Sequence, residues 1–208
     1  MRTFILAILL SLASVCASAG DEATDATNLN LVRVPILNGI YTIEAPSEWH
    51  LEISGDDLTA TFAEEPDADG TLIISAPNPA VKDIKEYMRQ AAGSLLESFG
   101  NGEIVQDEEK EIDGFRAYTV WFSLRANETD FLGWGRTIDF DGVAVQAMTL
   151  STGGKFNSYM QIAEPIFDSY ELDVEMVEEN IDLLREIGRK VLKSLNVPAK
   201  EETPEPAA

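Results

Sequence analysis

The residues that could carry out catalysis are few in this chain. His50 is the only histidine, and a serine or cysteine nucleophile of the usual kind would need it as its base. No Gly-x-Ser-x-Gly elbow is present to hold such a nucleophile. His50 also follows Trp49 at the beginning of a predicted strand. We therefore interpret it as a strand-end or partly buried histidine rather than as a general base.

Metal and phosphate sites are equally poorly supported. Zinc sites use several histidine or cysteine side chains, whereas this chain offers only His50 and Cys16, and Cys16 lies in a segment that we expect to be removed. The run Gly153-Gly154-Lys155 resembles part of a phosphate-binding loop. However, Phe156 stands where such a loop has Ser or Thr, and Thr149 stands where it has its first Gly. We predict no catalytic, cofactor-binding or metal-binding residues of these kinds.

One acidic segment matches the first half of a calcium-binding loop. Such loops have oxygen ligands at positions 1, 3 and 5, glycine at 6 and an apolar residue at 8. The matching residues are Glu65, Asp67, Asp69, Gly70 and Leu72. The twelfth position is Ala76, where a bidentate Glu is required, and no helix is predicted before the loop. We interpret the segment as an acidic hairpin turn and keep a weak cation site as the alternative.

Two further groups of residues have suitable chemistry but no defined geometry. The 37 acidic residues supply many carboxylate pairs of the kind used in glycoside hydrolysis, and this abundance makes any one pair uninformative. Trp134 beside Arg136, and also Trp49, could belong to a patch that binds a partner or ligand. Aromatic side chains in strands also fill cores and cover sheet faces, and we favour that interpretation.

The net charge argues against several classes of partner. The chain has 15 basic and 37 acidic residues, which gives a formal charge of −22. Binding to DNA, RNA or anionic lipid requires clustered Lys and Arg to neutralise phosphate, so we predict none of these partners. The same charge favours solubility and basic partners or cations.

The first nineteen residues have the pattern of a cleavable signal peptide. Arg2 precedes an apolar run at residues 4–13, which is too short to span a bilayer. Ala17-Ser18-Ala19 supplies the small residues that signal peptidase requires. We expect cleavage after Ala19 and export to the periplasm or out of the cell. Lipidation of Cys16 is disfavoured because Val15 stands where a lipobox has a small residue.

The expected mature protein has 189 residues and no cysteine. Its net charge is −23, because Arg2 is the only charged residue in the removed segment. The lack of cysteine excludes disulfides and thiolate chemistry. Residues 20–29 are acidic and poor in apolar side chains, so we predict a disordered lead-in there. The remainder is long enough for one domain with its own core, and none of its apolar runs is long enough to span a membrane.

The stretch from residue 112 to residue 150 is predicted to form three consecutive strands. They are residues 115–124, 131–140 and 143–150, with turns at Asp113-Gly114 and Asp141-Gly142. Asp-Gly between apolar runs favours a type I′ hairpin turn, which requires positive φ at both positions. Apolar residues occupy both faces of the first and third strands. We therefore expect an antiparallel sheet that is covered by helices on both sides.

Four or five short strands precede the first predicted helix. The first two flank Asn38-Gly39, another hairpin signal, and Pro35 places the first strand at a sheet edge because proline cannot donate to a strand ladder. Residues 81–99 carry apolar side chains at three- and four-residue spacing, which predicts a helix ending at Gly100. The charged run 103–111 then predicts a strand at an exposed edge.

Two helical segments follow the third strand of this stretch. The first begins after Gly153-Gly154, and Pro165 predicts a break or kink in it near Ala163. The second is capped by Asp173 and covers residues 173–196, with Gly188 as the weak position of its apolar stripe. We favour a helix packed on its own domain over a coiled-coil dimer. Residues 197–208 are predicted to be a disordered tail.

Four sequence segments and one helix follow one another in a recognisable order. They are YTIEAPSEWHLE, the helix at 81–99, EIDGFRAYTVWF, DGVAVQAMTLST and PIFDSYEL. This order resembles the PsbP-like superfamily, which includes PsbP of photosystem II, the Ran-binding Mog protein and bacterial DcrB-type periplasmic proteins. The resemblance covers about residues 40–172. It implies an α+β fold in which an antiparallel sheet is sandwiched between helices, the PsbP-like α/β/α sandwich.

The resemblance also implies adaptor, stabilising or protein-binding roles rather than catalysis. In this interpretation the PsbP-like domain covers residues 30–172, and the helix at 173–196 is an addition to it. The chain lacks the lipobox common among DcrB-like proteins and has no basic or metal-binding cluster that would indicate the photosystem role.

We therefore predict an exported, non-enzymatic binding or accessory protein that needs no cofactor. Its expected partner is a protein of the envelope or the extracellular space. The chain would act as a monomer or as a dimer through its last helix. The alternatives are an acidic calcium-binding accessory protein and a carboxylate-based hydrolase.

Overall fold

The computed structural model of the chain describes residues 30–54, 59–63, 70–126 and 128–200. The predicted signal peptide, the lead-in at 20–29 and the acidic residues 65–69 lie outside the described residues, as do residues 201–208. None of the described helices combines the length and apolar character needed to cross a membrane.

A seven-stranded antiparallel sheet forms the centre of the described structure. Its strands are β3 (His50–Ser54), β4 (Thr59–Ala63), β5 (Gly70–Ser75), β6 (Gly102–Ile112), β7 (Phe115–Ala126), β8 (Thr129–Phe140) and β9 (Val143–Thr152). Their order across the sheet is β3-β4-β5-β9-β8-β7-β6. The three predicted strands are β7, β8 and β9, so the prediction is confirmed, and β6 lies at one edge as its charged sequence indicated.

Two Asp-Gly pairs form the tight turns of this sheet. Asp113 and Gly114 have φ of 51° and 87°, and Asp141 and Gly142 have φ of 51° and 96°. Ile112 pairs with Phe115 across the first turn, and Phe140 pairs with Val143 across the second. Both are the expected two-residue turns with positive φ at each central position, and they fix the register of three long strands.

A small second sheet consists of β1 (Leu31–Ile36), β2 (Tyr41–Pro46) and β10 (Glu171–Leu172), in the order β1-β2-β10. Pro35 therefore lies in an edge strand, as predicted. The connection at Asn38-Gly39 is longer than expected, because Ile36 pairs with Tyr41 and leaves a four-residue loop. Leu37 also takes a positive φ of 52° in this loop.

The first helix, α1, covers Ile84–Phe99 and packs against β7 and β8. It begins three residues later than predicted because Asp83 has extended backbone and caps the helix, accepting from the N–H groups of Lys85 and Glu86. It ends at Gly100, whose φ is 74° and whose N–H donates to the carbonyl of Leu96, in agreement with the prediction.

The later helices differ from the sequence prediction in two places. Helix α2 covers Phe156–Asp168 and continues through Pro165, so of the predicted break or kink near Ala163 the break is wrong. Proline removes one helical hydrogen bond, and the buried side chains before and after it hold this helix on the sheet all the same. The predicted final helix is two helices, α3 (Val174–Glu179) and α4 (Ile181–Ser194), which meet at Asn180. Asp173 caps α3 as expected.

Each face of the large sheet carries its own core. One face packs against α1 and the end of α4, and its largest members include Tyr87, Met88, Tyr118 and Phe122. The opposite face packs against α2 and the small sheet, and it includes Tyr41, Trp134, Phe167 and Tyr170. The α+β fold with a sheet between helices is therefore confirmed, with the small sheet sharing one of the two covers.

The last described residues are anchored on the α1 side. A Cβ at Gly188 of α4 would lie 2.1 Å from Asn78 Oδ1, so only glycine lets the helix approach this closely. Beyond α4, Val197 is buried, Ala199 forms a bridge with Val81, and Lys200 donates from its N–H to the carbonyl of Ala80. Residues 197–200 are thus ordered, so the prediction of a disordered tail is wrong for these four residues. That prediction missed the pairing of these residues with Ala80 and Val81.

Candidate functional site

Arg136 is the buried charge of the structure's described part. It lies in β8 between Trp134 and Ile138, on the face that α2 covers, and its residue surface is 1% exposed. Its guanidinium donates to Thr119 Oγ1 at 3.2 Å, to Asp168 Oδ1 at 2.9 Å and to Glu164 Oε1 at 2.5 Å. The guanidinium carbon also lies 4.7 Å from the centre of the Trp134 ring.

These contacts neutralise Arg136 inside the structure. A buried cation is costly unless it is paired and hydrogen-bonded, and here each guanidinium nitrogen has a partner. Burial raises the pKa of Asp168, while the charge of Arg136 opposes that rise. The carboxylates are about half exposed, so they bridge the buried arginine to the surface. The cluster holds α2 on the sheet, and the guanidinium nitrogens of Arg136 are all engaged in these hydrogen bonds.

Sequence reasoning missed Glu164 and Asp168 as partners of Arg136. The available signal was their spacing of four residues, which places both carboxylates on one face of a helix, facing a sheet that carries a lone arginine. The aromatic candidates fall into the core as favoured from the sequence. Trp134 is 1% exposed, and Trp49 is partly buried with its ring stacked on Tyr159 at 5.7 Å.

The other sequence candidates do not join this cluster. His50 is exposed at the first position of β3, and β4, β5 and β9 separate that strand from β8. Gly153 donates from its N–H to the carbonyl of Asp130, and Lys155 forms the N-cap of α2. The glycine pair therefore lies in the turn between β9 and α2.

The possible calcium loop is described only at its end. Gly70 begins β5, and a Cβ there would lie 2.5 Å from the Tyr159 ring, so this glycine is needed for packing against α2. Ala76, at the position that requires a glutamate ligand, is 8% exposed. Within residues 30–54, 59–63, 70–126 and 128–200, no three His, Cys, Asp or Glu side chains are grouped as a metal site would require. Cation binding at residues 65–69 stays a prediction.

The outer edge of β6 is an exposed polar surface. Among the described residues, β6 pairs with β7 on one side and has no strand on the other. The pair Ile112–Phe115 closes a two-residue turn and is therefore hydrogen-bonded. Because backbone groups alternate along an antiparallel strand, those of Asp107, Glu109 and Glu111 point away from β7. Three acidic residues thus carry the open N–H and C=O groups.

The side chains of this edge are charged and exposed. Residues 103–113 contain six carboxylates and one lysine. Two arginines from neighbouring elements form ion pairs with them: Arg89 with Asp107 at 3.2 Å, and Arg116 with Glu109 at 2.8 Å. Lys110 lies 3.7 Å from Glu108. All three pairs are substantially exposed and contribute little to stability, so the acidic charge of the edge is only partly neutralised.

An apolar side chain lies at the start of the same edge. The register between β6 and β7 shifts between Ile104 and Gln106, which leaves Val105 as the extra residue of a β-bulge. Val105 is 63% exposed. The regular part of the edge therefore covers residues 106–112.

Comparison with known proteins extends to the fold alone. No protein-family model matches the sequence, and no curated protein matches it either. The solution structure of PsbP (CyanoP) from Synechocystis sp. PCC 6803 aligns with 76% of this chain and 98% of its own, at 15% identity and a TM-score of 0.51. The chain has the PsbP-like fold. This finding confirms the fold that was implied by the resemblance of the segments at 41–52, 111–122, 141–152 and 165–172.

Two further solved structures share less of the arrangement. A Pseudomonas aeruginosa protein of unknown function, PA94, described as a putative regulator, aligns with 67% of this chain and 94% of its own, at 11% identity and a TM-score of 0.44. LpqN of Mycobacterium tuberculosis, described as involved in cell envelope biogenesis, aligns with 69% of this chain and 91% of its own, at 13% identity and a TM-score of 0.41. The fold assignment rests on the cyanobacterial PsbP.

Proposed function

We propose that this chain is an exported accessory protein that acts by binding another protein, and that it does so through the outer edge of β6. The observation that supports the proposal most directly is the acidic, exposed edge with its row of open backbone groups. The segment at residues 1–19 supports export, because it combines a basic start, a short apolar run and small residues before the expected cleavage position.

The use of the remaining polar groups also favours binding over catalysis. Arg136, Glu164 and Asp168 satisfy one another while they fasten α2 to the sheet. Trp134 is fully covered by the core. These side chains, which could have served in catalysis, are therefore occupied in packing and ion pairs, and the accessible charge lies at the edge of the sheet.

Photocrosslinking in cells that make the full chain tests this function. A photoreactive amino acid replaces Val105, which is 63% exposed on β6, and in a matched variant it replaces Leu183, which is 51% exposed on α4. We expect a discrete adduct from position 105 and a much weaker one from position 183. Equal adducts from the two positions, or none from position 105, would contradict binding through β6. Mass spectrometry of the exported protein should find Gly20 at its N-terminus.

A further inference from the structure

We propose that the partner adds an extended, basic strand to the outer edge of β6, with Lys or Arg at alternate positions opposite Asp107, Glu109 and Glu111. This inference rests on the proposed function and specifies the chemistry of the partner. It concerns the regular part of the edge, residues 106–112, which is long enough for a short strand.

The backbone of β6 supplies the first part of the argument. The N–H and C=O groups of Asp107, Glu109 and Glu111 point outward and have no strand beside them among the described residues. An extended segment can pair with such groups as another sheet strand does, and its own backbone then provides much of the affinity. An antiparallel addition continues the pattern of the whole sheet.

The positions of the side chains define the partner further. Asp107 pairs with Arg89 of α1, so the side chains of residues 107, 109 and 111 lie on the α1 face of the sheet. In an antiparallel neighbour, the residues opposite them point to the same face and stand at every second position. Basic side chains there would be next to three carboxylates. Arg89 and Arg116 hold their partners only in exposed ion pairs, which a basic strand can replace.

The same charges select against a second copy of this chain. Two β6 edges brought together would place carboxylates opposite carboxylates, and like charges directly opposite one another destabilise a strand pair. The bulge at Val105 also interrupts regular pairing at the start of the strand. Acidic charge and a bulge therefore protect the edge from self-association and leave it open to a strand of opposite charge.

Synthetic peptides test the pairing with the mature full chain. The probe is an acetylated seven-residue peptide with Lys at the second, fourth and sixth positions and Val or Thr elsewhere. One control carries N-methyl groups on the backbone nitrogens of its lysines, which removes the donors that would pair with β6. A second control has the same composition with the three lysines consecutive. Fluorescence anisotropy at low salt gives the affinities.

We expect the probe to bind and both control peptides to bind at least about tenfold more weakly, because the affinity depends on backbone pairing as well as on charge. Hydrogen exchange should slow at the amides of Asp107, Glu109 and Glu111. Equal binding of the N-methylated peptide would show simple charge attraction and overturn the inference. Protection of the same amides without peptide, together with dimer formation, would assign the edge to a second copy and also overturn it.

Matched protein variants separate the edge from the general charge of the chain. Glu109→Gln with Glu111→Gln removes two charges from β6, and Glu175→Gln with Glu178→Gln removes two from exposed positions on α3. We expect about tenfold weaker probe binding in the first pair and less than about twofold in the second. Equal losses in the two pairs would contradict a site at β6. Should position 105 give adducts in cells while the peptides fail these tests, the proposed function would hold and this inference alone would fall.

Discussion

The two faces of the large sheet are covered by different chemistry. On the α1 face, apolar side chains predominate, and the few polar groups point at neighbours such as Met88, which accepts from Thr137 and Gln146 through its sulfur. On the α2 face lies the ion cluster of Arg136. A chain of rings runs beside it, in which Phe115, Phe140, Tyr170 and Tyr41 follow one another at centre distances of 4.9, 5.7 and 4.6 Å.

The difference shows what limits each side of the core. On the α1 face, Gly133 and Gly135 of β8 leave room for Phe122 and Met88, so the limit there is space. On the α2 face, a buried cation needs its carboxylates, so the limit there is charge. We therefore expect added volume on the α1 face, and loss of countercharge on the α2 face, to lower the stability of the protein.

The largest effect is expected when Arg136 loses both of its carboxylates. Glu164→Gln together with Asp168→Asn leaves the buried guanidinium without a countercharge, which should lower the free energy of unfolding by about 3 kcal/mol. Urea denaturation at neutral pH measures this value.

Two comparisons accompany the double variant. Arg136→Met removes the charge itself and should cost about 1 kcal/mol or less, because an apolar side chain of similar length refills the site. Asp168→Asn alone should have a small effect, since burial raises the pKa of this carboxyl and Glu164 remains as a countercharge. A larger loss in Arg136→Met than in the double variant would show that packing, not charge balance, limits this face.

A smaller effect is expected from added volume on the α1 face. A Cβ at Gly133 would lie 2.0 Å from the rigid Phe122 ring, and one at Gly135 would lie 2.5 Å from the terminal methyl of Met88. Gly133→Ala should therefore cost about 2 kcal/mol, whereas Gly135→Ala should cost less than about 1 kcal/mol because the Met88 side chain can turn aside. Thermal unfolding followed by circular dichroism tests the order, and equal losses would contradict it.

The smallest effects are expected from two buried tyrosines on opposite faces. The hydroxyl of Tyr170 has no hydrogen-bond partner among the described residues, whereas the Asn78 side chain interacts with the Tyr87 hydroxyl and opposes the rise in its pKa. Tyr170→Phe should leave stability unchanged or raise it by up to about 1 kcal/mol, and Tyr87→Phe should lower it by about 1 kcal/mol. A loss of stability in Tyr170→Phe and none in Tyr87→Phe, measured by urea denaturation, would contradict this prediction.

The same tyrosines make stability depend on alkaline pH. Burial raises the pKa of Tyr87 to about 12, whereas an unfolded tyrosine titrates near 10. The protonated phenol therefore favours the folded state, and this contribution is complete below about pH 10 and is lost as the pH rises through about 12. Denaturation at about pH 8 and about pH 11 should show a smaller loss in Tyr87→Phe than in the unaltered protein. An equal loss of stability in the two proteins would show that the Tyr87 phenol does not cause the pH dependence.

Local signals predicted the parts of the fold that depend on a few neighbouring residues. The Asp-Gly turns, the edge position of Pro35, the cap at Asp173 and the end of α1 at Gly100 follow from backbone conformation or hydrogen-bonding capacity at those residues. The edge position of β6 follows from its charge.

Features that depend on tertiary contact could not be predicted in this way. From the sequence, Gly188 was interpreted as a weak position in a helix. In the structure, the close contact with Asn78 requires a glycine there. The partners of Arg136 depend on how α2 is rotated on the sheet, which periodicity alone leaves open. The continuation of α2 through Pro165 likewise depends on burial of its neighbours. For the candidate site at β6, the sequence predicted the charge and the edge position. Which backbone groups point outward could be determined only from the register between β6 and β7.

The pairing of β5 with β9 bears on how the chain folds. β5 ends at Ser75, β9 begins at Val143, and the bridge from Val81 to Ala199 joins residues still farther apart. Contacts between such distant segments form slowly, because long loops must close before any favourable interaction compensates for the lost entropy. The strands β3, β4 and β5 have only one another to pair with until β9 arrives. A chain that folds slowly stays unfolded for longer. This property suits a protein that is predicted to cross a membrane before it folds.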